Sequence, residues 1–193
     1  MEKKALRLKY KKLRENLSQD SIDEMSLQIA SQALKLPIWD KPYYHIFLPI
    51  SEKNEVNTEY LMHILQGKDK SIVFSKADFS NGEMHHFLLQ ENTVLKTSAY
   101  GIPEPVSGIE VAAKMLDVVF VPLLAYDAKG HRIGYGKGFY DRFLKHCNSE
   151  AILIGLSFFE PEPEIFFEAT DVPLKFCITP KKIIDFKNNP LSL

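Results

Sequence analysis

The sequence predicts an α/β protein, a single-domain sandwich in which a central mostly parallel or mixed sheet is flanked by helices. Segments of helical periodicity alternate with short apolar runs. The longest of these runs, Asp117 to Ala125, has adjacent valines and reads as a central strand covered on both faces. A stretch with four glycines then separates that run from the next helical segment, as a ligand loop at the carboxyl end of a strand would.

The elements follow in order. Residues 2 to 16 place Ala5, Leu6, Leu8 and Leu13 among many lysines and arginines, which predicts a surface helix with one modest apolar stripe. Ser18 is a suitable N-cap for a second helix carrying Ile22, Met25, Ile29 and Ala33 at helical spacing until Pro37 ends it. His45 to Ile50 reads as a short buried strand, Thr58 to Leu65 as a helix stopped by Gly67, and Ser71 to Phe74 as the next strand. Met84 to Leu89 predicts a further strand, and Tyr100 to Gly108 is rich in turn residues. Beyond the glycine-rich loop come a helix from about Phe139 to near Cys147, a strand from Ala151 to Ser157 and a last strand at Phe176 to Thr179.

Bulk composition narrows the function. With 193 residues, 45% of them hydrophobic, the chain can bury one ordinary core, so one domain over residues 1–193 is expected. Lys and Arg number 24 against 25 Asp and Glu, so no net charge draws the molecule to nucleic acid or to an anionic membrane. Two cysteines, Cys147 and Cys177, are too few for a disulfide framework and suit a reducing compartment. A charged N-terminus without an apolar core behind it, and the lack of any apolar run near the roughly 20 residues a membrane helix needs, predict a cytoplasmic protein. His85 and His86, adjacent in a strand, point to opposite faces and make a poor metal pair.

From Tyr126 the chain reads YDAKGHRIGYGKGFYDRFL, with Gly130, Gly134, Gly136 and Gly138 interleaved with Lys129, Arg132, Lys137 and Arg142. Glycines at alternate positions let backbone N–H groups approach an anion, and a following helix adds its positive N-terminal end. A polyphosphate fits such a cradle, with Lys137 as a point charge, Arg132 as a paired donor and Asp141 as a carboxylate for phosphate-bound Mg²⁺. The blander reading is a mobile turn, with Asp141 merely a favourable partner for the helix dipole. Neither standard nucleotide motif matches: Gly138 stands where the G-x-x-x-x-G-K-[ST] loop needs a hydroxyl, and alternate glycines do not make G-x-G-x-x-G.

The run GHRIGYGKGFYDR resembles the signature of the 5-formyltetrahydrofolate cyclo-ligase family, G-x-R-L-G-x-G-x-G-Y-Y-D. Further similarity lies at KKALR, IFLPISEKNEVNT, YGIPEP, DVVFVPLLAYD and near Asp171. The resemblance implies an α/β architecture of the CoA-transferase-like (NagB/RpiA) kind and an ATP-dependent enzyme acting on 5-formyltetrahydrofolate with Mg²⁺; a monomer is expected. The formyl oxygen is phosphorylated and N10 then closes the ring. It further implies an ATP site from Lys3, Lys4 and Arg7 together with Arg132, Ile133, Gly134, Tyr135, Gly136, Lys137, Gly138, Phe139 and Tyr140. Of these, Lys137 and Arg132 are the expected catalytic pair. Glu55 matches a pterin-binding carboxylate, Ile50 or Leu48 an apolar wall, Tyr100 a stacking aromatic and Asp141 the metal ligand. Three departures stand out: Lys175 occupies the place of a second acidic metal ligand, leaving Asp171 as its substitute; Tyr135 replaces a basic residue; Phe139 replaces a tyrosine. Two other functions are open, a paralogue acting on another small acid or amide, and a nucleic-acid-binding module using the basic N-terminal helix.

Overall fold

The computed structural model describes residues 2–188. In chain order the elements are α1 (Lys3–Glu15), α2 (Gln19–Ala33), β1 (Tyr43–His45), α3 (Glu59–Gly67), β2 (Ser71–Asp78), β3 (Glu83–Leu88), β4 (Leu95–Thr97) and β5 (Pro103–Pro105). Then come β6 (Val118–Pro122), β7 (Ala125–Tyr126), β8 (Arg132–Ile133), α4 (Phe139–Leu144), β9 (Ile152–Leu156), β10 (Phe176–Ile178) and β11 (Ile183–Asp185). One seven-stranded sheet runs β11-β10-β9-β6-β1-β2-β3, with small two-stranded sheets β4-β5 and β7-β8 beside it. The inner pairs are parallel and only the edge strands β3 and β11 are antiparallel, so the expected mixed, mostly parallel sheet is what forms.

Strand β6 lies at the middle of the sheet, and its side chains show why the valine run reads as doubly covered. Val118 and Phe120 join the core beneath α2 and α3, where Ile29, Ala33, Leu61 and Leu65 pack. Val119 and Val121 point the other way, to Phe143 and Leu144 of α4. A third cluster seats Leu6 and Tyr10 of α1 on Leu124, Ala125 and Ile133 at the β7-β8 hairpin. Thus α1 is fixed directly against the strands from which the glycine-rich loop emerges. Asp127, fully buried, pins the hairpin turn by accepting from the N–H groups of Lys129 and His131 and from Ile165 N.

Several boundaries differ from expectation for identifiable reasons. The strand expected over His45 to Ile50 stops at His45, with one further ladder bond from Ile46 N to Val73 O. Pro49 has no N–H to continue it, and Ser51–Lys53 forms a 3₁₀ turn instead. Helix α4 ends at Leu144, and bonds from His146 and Cys147 back to Phe143 and Leu144 carry one tighter turn to Cys147. Strand β2 extends beyond Phe74 to Asp78 because β3 pairs with it along that whole length.

Gly155 in β9 is where α/β packing is tightest, since a Cβ there would lie 2.6 Å from Leu123 Cδ2 and 2.7 Å from Leu174 Cδ1. Gly155→Ala should therefore lower stability by about 1–3 kcal/mol through overpacking, read as a lower urea midpoint at unchanged slope. An unchanged midpoint would mean that Leu123 and Leu174 yield without cost.

Candidate active site

A cavity of about 410 Å³ opens beyond the carboxyl ends of β1, β2 and β6, where His45, Phe47, Ser75, Ala77 and Pro122 form its floor. Crossovers at this edge leave a crevice, the usual place for ligands in such sheets. One wall is the loop 132–141, a second is α1 through Lys3, Arg7 and Lys11, and a third is the turn holding Ile50, Lys53 and Glu55. Tyr100 and Phe79 close the mouth. Of the residues expected to bind nucleotide, folate or metal, all but Lys4 line this one cavity; Lys4 is exposed on α1 and is not part of its lining.

The loop is held open by guanidinium planes. Gly136 has φ +91°, and a Cβ there would sit 3.1 Å from Arg7 Cζ, so Arg7 lies flat against the backbone and its Nε donates to Gly134 O at 3.0 Å. Gly138 has φ +70° and faces Arg142, whose Nε donates to Gly82 O and whose Nη2 donates to Lys137 O. Both glycines are needed for their backbone conformation. Gly134 is different: it has ordinary φ, and a Cβ on it would meet open space inside the cavity. That open space is room for a ligand, and the donor set around it suits a polyphosphate. Helix α4, at six residues, adds little dipole, so an anion here depends on the loop N–H groups and on Arg7 and Lys137.

Two of the expected phosphate-binding cations already have carboxylate partners. Arg132 is bonded through Nη2 to Asp141 Oδ1 at 2.6 Å and through Nη1 to Val172 O, which makes it the residue that aims Asp141 rather than an open donor. Lys3 bridges Asp171 at 2.8 Å and Glu168 at 3.1 Å. Burial alone would raise the Asp171 carboxyl; the Lys3 ammonium, the Glu168 N–H and the nearby Arg132 charge outweigh it and hold Asp171 below the usual carboxylate range. Asp171 lines the cavity, whereas Lys175 is exposed over the Phe176 ring and does not. The position facing the site is therefore 171, so the charge reversal at Lys175 does not reach the cavity. Among the described residues no three His, Cys, Asp or Glu converge as a metal cage. A half-exposed Asp141 suits a cation held largely by phosphate oxygens and water.

Glu55 is buried at the opposite wall. Its Oε2 accepts from Ile50 N at 2.7 Å and its Oε1 from the Tyr135 hydroxyl at 2.7 Å. The phenols of Tyr135 and Tyr140 are pushed up first by burial and then by the Glu55 charge, so both stay protonated as donors. Ile50 and Leu48 both line the cavity. Tyr100 stacks on Phe79 with centroids 3.9 Å apart, and Phe79 meets Phe139 edge-on at 4.9 Å, giving a flat aromatic wall with Tyr100 exposed at its outer end.

Sequence reasoning missed Arg14, Phe79, Lys11, Lys53 and a buried His45–Ser75–His86 chain. Arg14 gives little signal, being one of many cations on α1, and Phe79 sits in an unremarkable turn. In the histidine chain the Ser75 hydroxyl lies 2.7 Å from both His45 Nε2 and His86 Nδ1, so it donates to one ring and accepts from the other.

Fold and site together define an α/β enzyme that sets a glycine-lined anion cradle against a buried carboxylate in one crevice. The chain belongs to the 5-formyltetrahydrofolate cyclo-ligase family, whose profile matches residues 1–180. It is 29% identical over 174 residues to the 5-formyltetrahydrofolate cyclo-ligase of Haemophilus influenzae, covering 88% of this chain and 92% of that one. The solution structure of Aquifex aeolicus 5,10-methenyltetrahydrofolate synthetase superposes with a TM-score of 0.83 at 29% identity, covering 98% of this chain and 95% of that one. A 5,10-methenyltetrahydrofolate synthetase from Mycoplasma pneumoniae, 23% identical, shares the fold with a TM-score of 0.76 over 93% of this chain and 99% of that one.

The histidine chain makes stability depend on pH. Burial pushes His45 down to about 3 and His86 down to about 4, each with a smaller push from a neighbouring histidine charge. Between the ordinary value near 6.5 and these lowered values, the unfolded chain binds protons that the folded one refuses. Stability should thus fall as pH drops from about 6.5 toward 4, with a slope of up to about 1.4 kcal/mol per pH unit for each histidine. His45→Asn should remove one such slope from urea midpoints measured between those pH values; equal slopes in the two proteins would contradict a neutral His45.

Proposed function

We propose that this chain, acting as one domain and as a monomer, couples ATP cleavage to cyclisation of 5-formyltetrahydrofolate, giving 5,10-methenyltetrahydrofolate, ADP and phosphate. The observation that carries this reading is that the loop 134–138 and Glu55 open onto the same cavity. A nucleotide site and a heterocycle site that share a crevice allow direct transfer between their ligands, without a carrier.

The formyl group on N5 is amide-like, and its carbon is a poor electrophile. Transfer of the γ-phosphoryl group to the formyl oxygen breaks the bond to ADP and leaves an iminium phosphate. N10 then adds to the activated carbon, and expulsion of phosphate with loss of the N10 proton leaves the methenyl bridge. Little covalent chemistry falls to the protein, so positioning and charge neutralisation are its main tasks. The Glu55 carboxylate accepts from adjacent pterin N–H groups, with Ile50 and Leu48 against the ring face. The Tyr100–Phe79 wall stacks on the rest of the folate. Arg7 and the loop N–H groups hold the polyphosphate while Lys137 follows the moving charge. Asp141, aimed by Arg132, together with Asp171, would hold Mg²⁺, which supplies charge neutralisation between phosphate oxygens. Because Lys3 and Arg7 turn into the cavity, the start of α1 serves this site better than it would a nucleic-acid surface.

Mixing protein, 5-formyltetrahydrofolate, ATP and Mg²⁺ should produce methenyltetrahydrofolate absorbance. No product with any nucleotide, together with no folate binding, would sink the proposal. Lys137→Ala should fold normally and lose roughly 10²-fold in kcat. Arg7→Ala should raise KM for ATP by roughly ten- to a hundredfold, the worth of a charge-assisted contact.

A further inference from the structure

Tyr135 has two parts that serve two sites. Its backbone lies between Gly134 and Gly136 in the anion cradle, while its hydroxyl reaches across the cavity to donate to Glu55 Oε1 at 2.7 Å. The same hydroxyl accepts from Arg14 Nη1 at 2.9 Å, and Arg14 Nη2 is anchored on Leu123 O at 2.6 Å, just past the end of β6. Arg14 is 4% exposed and Glu55 6%, so a buried cation and a buried anion are joined through one phenol.

Resting on the proposed function, we propose that Tyr135 is a positioning residue that couples the two ligands, so that a nucleotide in the cradle fixes Glu55 for the pterin and a bound pterin steadies the cradle. The carboxylate has about four acceptor directions. Ile50 N takes one and the Tyr135 hydroxyl a second, so the remaining two are presented to the cavity in a fixed orientation. Without the phenol, Glu55 is held by one bond and can turn. Tyr135 sits between two glycines of the cradle, so an anion held by residues 134–138 would also fix where the hydroxyl sits. Coupling of this kind is reciprocal: whatever factor the nucleotide adds to folate affinity, folate adds to nucleotide affinity.

Tyr135→Phe tests this. Native protein should bind 5-formyltetrahydrofolate at least about fivefold more tightly when a non-hydrolysable ATP analogue and Mg²⁺ are present, by calorimetry. In Tyr135→Phe that ratio should fall to about one. KM for the folate should rise about tenfold while kcat at saturation stays within about threefold, a split that general loosening of the fold would not give. In a Glu55→Gln background, Tyr135→Phe should change folate affinity no further. If Tyr135→Phe does not fold, Tyr135→His, too short to reach Glu55, should show the same loss of coupling. A retained ratio overturns the inference, and so does tighter folate binding in Tyr135→Phe, which would show that the phenol occupies the pterin's place. Absence of product from the native protein is a separate outcome, which removes the proposed activity itself.

Discussion

The site depends on a buried charge that is never paired directly. Arg14 comes from α1, Glu55 from the turn after β1, and Tyr135 from the glycine loop, and they meet only because α1 packs on the β7-β8 hairpin. Burying a lone carboxylate is expensive, and a partner that is neutral and protonated lowers that cost without neutralising the anion. The result is a carboxylate held by two hydrogen bonds that still has acceptor capacity. Leu6 and Tyr10 under α1 thus have a consequence some distance away: loosening them would move Arg14, and with it the hydroxyl that sets Glu55.

Charge balance in the cavity follows a similar logic. Lys3 with Asp171 and Arg132 with Asp141 form two ion pairs on the nucleotide side. These pairs fix two carboxylates near where phosphate would lie, leaving Arg7 and Lys137 to meet a polyanion directly. On the proposed function, an anion that brings its own divalent cation would turn the same two carboxylates into ligands, which would favour a metal-bound nucleotide. The alternate glycines keep bulk out of the loop, and a Cβ on Gly134 would meet only open space.

What could be read from the sequence was local, and what could not was long-range or too short to have a period. Helix α2 and strand β6 are long enough for their repeats to show, and both form, with Ser18 as the cap and β6 at the sheet centre, although α2 ends at Ala33 and β6 at Pro122, short of the expected Ala125. Strands β4, β5, β7, β8 and β11 have two or three residues each, too few for alternation to be visible. His45 to Ile50 reads as a strand because its residues are mostly apolar, but the chain leaves the ladder after Ile46, and the residues beyond it face the cavity and the α2 side core. The glycine spacing pointed to an anion because the signal is contained in a few consecutive residues. Nothing local shows that Arg132 would be committed to Asp141, or that Lys175 would point away while Asp171 points in, since both depend on how residues 171–175 cross the loop.

Several residues that break the usual rules lie at this crevice, where a fold can give up local stability for a site. Arg14 Nε and His45 Nδ1 are buried without a hydrogen-bond partner, Tyr100 is exposed though aromatic, and Gly136 and Gly138 hold left-handed backbone under guanidinium planes. Each is a cost to the empty protein. Bound ligand would relieve some of them: a ring stacked on Tyr100 covers apolar surface, and phosphates under the loop satisfy its N–H groups. Arg14 lies behind the cavity wall and His45 in its floor, and each is held in orientation by its other nitrogens, Arg14 through Tyr135 and His45 through Ser75. Polar groups placed one layer behind the ligand, unsatisfied on one side and tightly held on the other, are therefore the part of this site that a motif cannot reveal and that side-chain geometry does.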